Sequence, residues 1–310
     1  MGGTTMVGSK RVTELIESEQ TLQLMEFMIA GGHFGINVAK VNEIMKYSQH
    51  PVTPMPNSNP FVEGIIRPRT DTMTVINLAA YMGLPPSSDE QRDILIITQI
   101  NNLKTAFHVH GVEAINVVKM SDIEKPDSTI YGGEDGMATG VAKYNDKLIT
   151  IIDFEKILFD ISPHMGFSPN DIEQLGSRVR SDKPILVAED SPLLERLILS
   201  SLEKAGYSNI TCASNGQEAW NLIEGYKKTG QDISEHLCAV ITDIEMPMMD
   251  GHRLLRLIKE DPSTNKVPVI VFSSLITEEM RTIGETLGSV ANISKPEIAN
   301  LVTILDEHIL

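Results

Sequence analysis

Glu189 and Asp190 follow one short apolar run, Asp243 follows another, and Ser273 and Lys295 close two more. If those runs are strands of one parallel sheet, the side chains behind them collect at its carboxyl edge, where open α/β sheets place functional groups. Three carboxylates gathered there repel one another, and a hard divalent cation relieves the repulsion. Mg²⁺ suits the role because it prefers oxygen ligands and keeps waters and phosphate oxygens in its octahedron. An aspartate can itself be the nucleophile that takes a phosphoryl group. Such a transfer then needs positioning and stabilisation of charge on the equatorial oxygens. Ser273 offers a hydroxyl donor for this and Lys295 a point positive charge. Any one of these residues alone reads as a solvated strand-end group; together, at matching strand ends, they do not.

The elements that must position them are legible from residue 183 to 310. Apolar runs at 185–188, 210–213, 239–242, 267–272 and 290–293 read as strands, and helical patterns separate them. Ser191 offers an N-cap and Pro192 a first-turn residue, with Leu194, Ile198 and Leu202 on one face and Gly206 at the end. Further helices are expected at about 216–226, at 252–259, from 278, and after Pro296. The alternation predicts an α/β doubly wound (βα)5 domain with parallel sheet order 2-1-3-4-5. In that order the first and third strands are neighbours, so Asp190 and Asp243 converge despite their separation in sequence.

The first half reads as all-β. Short strands at 22–29, 34–38, 61–66, 72–78, 95–100, 105–109, 138–144 and 148–152 are divided by Gly, Pro and polar turns, the pattern of small barrels. Gly31-Gly32 and Asn145-Asp146 are the expected hairpin turns. Phe34-Gly35-Ile36 recurs as Phe107-His108-Val109, and Gly64-Ile65-Ile66 leading to Asn77-Leu78 recurs as Gly140-Val141-Ala142 leading to Asp153-Phe154. The nearly constant offset implies one duplicated unit and two related β-barrel lobes. His108 and His110 share a strand face; they read either as ordinary barrel histidines or as a metal pair, for which no third ligand is evident. The expected boundaries are 18–165 for this domain, 166–182 for a Pro- and Gly-containing linker, and 183–310 for the second domain.

Composition excludes several classes. Of 310 residues, 41% are hydrophobic and 22% charged, as in globular proteins. No apolar run reaches the roughly 18 residues of a membrane span, and Met1 to Lys10 carry no secretory signal. Cys212 and Cys238 are too few for a disulfide framework and fit a reducing cytoplasm. The net charge of −16 argues against a nucleic-acid partner, whose phosphates call for Lys and Arg. A cytoplasmic protein without membrane insertion is expected.

Glu189-Asp190, Asp243-Ile244-Glu245-Met246-Pro247-Met248-Met249-Asp250-Gly251, Ser273-Ser274 and Lys295-Pro296 together resemble the response-regulator receiver family. The resemblance implies that Asp243 is the phosphorylation site. It also implies that Glu189, Asp190, Asp243 and the main-chain carbonyl of Glu245 hold Mg²⁺, and that Ser273 and Lys295 contact the phosphoryl oxygens. One position departs: Asn292 stands where many receivers carry an aromatic, so the signal is expected to leave through another surface of the fourth helix or fifth strand. Upstream, Phe34-Gly35-Ile36, Val41-Asn42-Glu43-Ile44, Pro51 to Asn57 and Phe61 to Arg69 resemble the CheW adaptor family. That family implies two SH3-like lobes and binding to chemoreceptor tips and to the histidine kinase CheA. The segment Arg67-Pro68-Arg69-Thr70 keeps the family's arginine as Arg69, which the resemblance places near the receptor interface, and loses its glycine. The two domains in tandem resemble the CheV family, implying a phosphorylation-modulated adaptor at receptor arrays rather than an enzyme.

An enzyme alternative is a Mg²⁺-dependent phosphatase with an aspartyl-phosphate intermediate. Such enzymes usually carry Asp-x-Asp on the first strand, whereas here that strand ends in Glu189-Asp190 and the nucleophile candidate lies on the third.

Overall fold

The structure, a computed structural model, describes residues 21–100, 103–124, 136–162, 172, 180–274, 276–295 and 297–310. The chain divides into two compact units, one built from Leu22–Val118 and Asp122–Gly166, the other containing Phe167–Leu310. Most of the expected linker at 166–182 lies outside the described residues, as does Pro296.

The N-terminal unit contains β1 (Thr21–Ile29), β2 (Gly32–Asn37), β3 (Val41–Lys46), β4 (Val62–Ile66), β5 (Met73–Asn77) and helix α1 (Leu78–Tyr81). It continues with β6 (Ile94–Ile100), β7 (Leu103–Val109), β8 (Gly111–Lys119), β9 (Ile123–Glu124), β10 (Ala138–Tyr144), β11 (Lys147–Ile152) and α2 (Phe154–Ile161). The strands form two sheets, ordered β8-β1-β2-β11-β10-β9 and β3-β6-β7-β5-β4. The duplicated segments take equivalent places in them. Each repeat gives its first two strands to one sheet and its later strands to the other. The parallel pairings match, β5 with β7 and β11 with β2. The register slips at Gly64 in one copy and at Gly140 in the other.

Three expectations for this unit need correction. The first hairpin turns on Ala30-Gly31, both left-handed at φ 50° and 82°, and Gly32 already pairs with Ile29. The unit is not all-β: the side chain of Asn77 accepts from Ala80 N, and that of Asp153 from Glu155 N and Lys156 N, so each strand end becomes a helix N-cap. Strands β3 and β8 also escaped the pattern. Their outward faces carry Ile44, Ile115 and Val117, all about half exposed, which hides the alternation of apolar-in and polar-out. The turn at Asn145-Asp146 is present, left-handed at both residues.

The C-terminal unit runs β12 (Ile185–Ala188), α3 (Pro192–Lys204), β13 (Ile210–Ala213), α4 (Gly216–Lys227), β14 (Ala239–Thr242), α5 (Gly251–Glu260), β15 (Val269–Ser273), α6 (Glu278–Leu287), β16 (Ala291–Ser294) and α7 (Ile298–Ile309). The strands pair in parallel in the order β13-β12-β14-β15-β16. Alternate residues serve the two faces. Val187, Ile241 and Phe272 pack under α3 and α7 with Ile198, Leu202, Leu301 and Leu305. Leu186, Val240 and Val271 pack under α4 and α5 with Ile223, Leu254 and Ile258. Burying each such side chain contributes about 1.5–3 kcal/mol, and both faces are covered as a parallel sheet requires. Among the described residues no helix is long and apolar enough to cross a membrane.

Candidate functional site

The carboxyl ends of β12 and β14 lie side by side, with Asp243 N donating to Ala188 O at 2.9 Å. This pairing brings Glu189, Asp190 and Asp243 together, with one carboxylate oxygen from each inside a 4.8 Å group. Glu189 is 1% exposed and Asp243 6%. Asp243 Oδ1 accepts from Ile244 N at 2.6 Å, and Glu189 Oε1 accepts from Ser191 N at 3.2 Å, so the backbone orients both groups. From the end of β16, Lys295 reaches under them. Its Nζ lies 2.7 Å from Asp243 Oδ2 and 2.8 Å from Glu189 Oε2, and the residue is 1% exposed. Ser273, buried at the end of β15, is tied to the same edge by the Lys295 N to Ser273 O bond of 3.1 Å.

The loop after β14 is shaped by backbone demands. Gly251 begins α5 so close to the strand end that a Cβ would stand 1.9 Å from Asp243 O. Thr242 Oγ1 donates to that same oxygen at 2.8 Å. Met248 turns through a left-handed φ of 65°, a conformation that non-glycine residues seldom adopt. Asp250 caps α5 by accepting from Arg253 N at 2.8 Å; burial pushes its carboxyl above the ordinary range and pushes neighbouring His252 below its own. Spacing alone did not single out Gly251 or Thr242 as site-forming, although the Asp250-Gly251 pair is a legible turn signal. Glu245 is half-buried on this loop, two residues beyond Asp243.

The donor set fits a hard divalent cation. Three carboxylates and one ammonium leave two negative charges in a largely buried place, and oxygen-only ligands match Mg²⁺. Glu189, Asp190 and Asp243 are the side chains that would hold it.

Of the other expected positions, Asn292 lies against Gly284 of α6 and donates to Ser289 Oγ at 3.1 Å. Arg69 sits in the other unit, its side chain 78% exposed, with Nη2 3.2 Å from Glu43 Oε2. It lines a shallow cavity of about 170 Å³ with Pro68, Asp71 and Lys104. His108 and His110 do not form a metal pair: His108 bonds two carboxylates, while His110 Nδ1 accepts from Ala30 N at 3.0 Å.

Comparison with known proteins agrees with both units. Residues 23–162 match the CheW-like domain, and residues 185–306 match the response regulator receiver domain. The chain is similar to chemotaxis protein CheV3 of Helicobacter pylori, 31% identical over 93% of this chain and 94% of that protein. It is also similar to CheV1 of the same organism, 26% identical over 98% of each. Among solved structures, the scaffolding protein TtCheW from Thermoanaerobacter tengcongensis is 26% identical, covering 43% of this chain and 89% of that one with a TM-score of 0.39. With a CheW-like unit and a receiver unit in one chain, and a relative of that identity spanning nearly its whole length, the chain belongs to the CheV family of chemotaxis proteins.

Proposed function

We propose that this protein is a chemotaxis adaptor that couples the cytoplasmic tips of chemoreceptors to the histidine kinase CheA, and that phosphorylation of Asp243 modulates the coupling. Its domains run from 18 to 165 and from 183 to 310 around a linker at 166–182, and the two sheets of the first are SH3-like lobes. Its working place is the cytoplasmic face of receptor arrays. The observation that carries the phosphorylation reading is the convergence of Glu189, Asp190 and Asp243, with the buried ammonium of Lys295 against Glu189 and Asp243.

In the proposed transfer, an Asp243 oxygen attacks the phosphorus of a phosphohistidine donor. The O–P bond forms as the P–N bond breaks, and the donor imidazole leaves with the electron pair and takes a proton. Glu189, Asp190, Asp243 and the Glu245 carbonyl would hold Mg²⁺, which would supply positive charge against the phosphoryl oxygens. Lys295 Nζ, already 2.7 Å from Asp243 Oδ2, turns to a phosphoryl oxygen, and the Ser273 hydroxyl donates to another. Arg69 contributes to the receptor-facing surface of the first domain.

The test is incorporation of ³²P from phosphorylated CheA in Mg²⁺. Wild type should gain one acid-stable, base-labile phosphoryl group, and Asp243→Asn none. Label in Asp243→Asn would refute the assignment. Steady hydrolysis of diverse phosphomonoesters would instead point to the aspartyl-phosphate phosphatase.

A further inference from the structure

A second buried ionic cluster lies in the CheW-like unit, away from any phosphoryl chemistry. His108 on β7 is 6% exposed and Asp93, just before β6, is fully buried. The imidazole Nδ1 lies 2.8 Å from Glu63 Oε1 on β4, and Nε2 lies 2.9 Å from Asp93 Oδ2. Ionised carboxylates only accept, and a neutral imidazole carries a single N–H, so both contacts are met only by the imidazolium. The acids are anchored in turn: Glu63 accepts from Asn77 Nδ2 at 2.6 Å, and Asp93 accepts from Ser87 Oγ at 2.7 Å. The Tyr47 ring lies flat on the imidazole, centroids 3.9 Å apart and 5° from parallel, with its aromatic face toward the cation.

This cluster grips a particular stretch of chain. Tyr47 N donates to Asp93 O at 3.0 Å, and His50 N donates to Tyr47 O, closing the short turn Tyr47–Gln49. The segment continues to Thr53, which pairs with Ile65 of β4. Between them is a cavity of about 320 Å³ lined by His50, Pro51, Thr53, Ile65, Arg67 and Thr72. One wall of the cavity is therefore hung from Tyr47.

We propose that His108 is a proton-operated clasp that fixes the cavity wall at residues 47–53, giving the adaptor an input separate from phosphorylation. Every titratable group packed on it bears on the sign. Burial alone would lower the His108 pKa, but the hydrogen bond and charge of Glu63, then of Asp93, leave it above its ordinary 6.5. Burial and the neighbouring Glu63, Glu90 and Asp93 push the Tyr47 hydroxyl up to about 12, so it stays protonated. His110, just past the end of β7, is lowered chiefly by burial and also by the His108 charge. A group raised on folding contributes stability that is fully present below 6.5 and is lost as pH rises through its folded value. The clasp is thus closed below the folded value of His108 and opens as pH rises through it.

The test is a pH titration of the full chain uniformly labelled with ¹⁵N, read through the imidazole nitrogens and the backbone amides that residues 47–53 carry. Below its midpoint His108 should carry both ring protons, and that midpoint should lie above 6.5. The amides of 47–53 should shift with that same midpoint, and the shift should be absent in His108→Gln. A His108 midpoint at or below 6.5, or amides of 47–53 that ignore its titration, would overturn the proposal. Both readings come from wild type, so they stand even if the variant does not fold, and neither depends on Asp243 or on any partner.

Discussion

Two buried ionic clusters, one in each unit, show how burial of charge can serve opposite ends. Around His108 the acids are two, and each is provided with neutral donors: Asn77 for Glu63, Ser87 for Asp93. At the open end of the parallel sheet three acids meet, two of them paired with Lys295. The first cluster sets two acids against one imidazolium, with Glu63 Oε2 buried and without a hydrogen-bond partner. The second sets three acids against one ammonium, a larger excess that a divalent cation suits. Buried ion pairs are weak evidence for stability as such. It is the unbalanced remainder at a strand edge that marks a site for chemistry.

The sharpest way to break this comparison is to remove each central cation. Lys295→Ala should cost the receiver unit about 3–5 kcal/mol, because buried carboxylates lose their partner. Millimolar Mg²⁺ should recover a large part of that loss in urea unfolding. His108→Ala should cost the CheW-like unit a similar amount, and Mg²⁺ should recover none of it. Equal rescue of both, or of neither, would erase the distinction between the two clusters.

A smaller effect probes the repeat. Asp153→Ala removes an N-cap and should cost about 1 kcal/mol in denaturant midpoint analysis, and Asn77→Ala should cost more because Asn77 Nδ2 also anchors Glu63. Equal costs would show that the Asn77–Glu63 bond adds nothing to the cap. The smallest stability effect is expected at Arg69, whose pair with Glu43 is largely exposed. Arg69→Glu should change unfolding by less than about 0.5 kcal/mol. Recruitment to receptor–kinase arrays, followed by fluorescence microscopy, should nonetheless fall while Asp243 labelling is unchanged. Undiminished recruitment would remove Arg69 from the interface.

The receiver unit was far more legible than its neighbour, for a physical reason. Its strands are buried on both faces and stand out as apolar runs, and Ser191-Pro192 and Asp250-Gly251 announce the following helices locally. Site residues then sit one step past each run. In the CheW-like unit the strands are half-exposed, and Ile115 and Val117 face outward on β8. The Asn77 and Asp153 caps were visible as letters, but they read as strand ends because the runs before them are strands. The His108 cluster joins residues far apart in sequence, Glu63, Asp93 and His108, through contacts that no spacing rule encodes.

The crossed-over duplication of the CheW-like unit has a consequence for how that half of the protein can exist. Its first copy supplies β1 and β2 to one sheet and β3 to β5 to the other, and the second copy fills the remaining places in both. Severing the chain between Gly83 and Asp89 should therefore yield two fragments, each with incomplete sheets and an exposed interior. Mixed, they should regain structure only as a pair, so integrity belongs to the interlock rather than to either half.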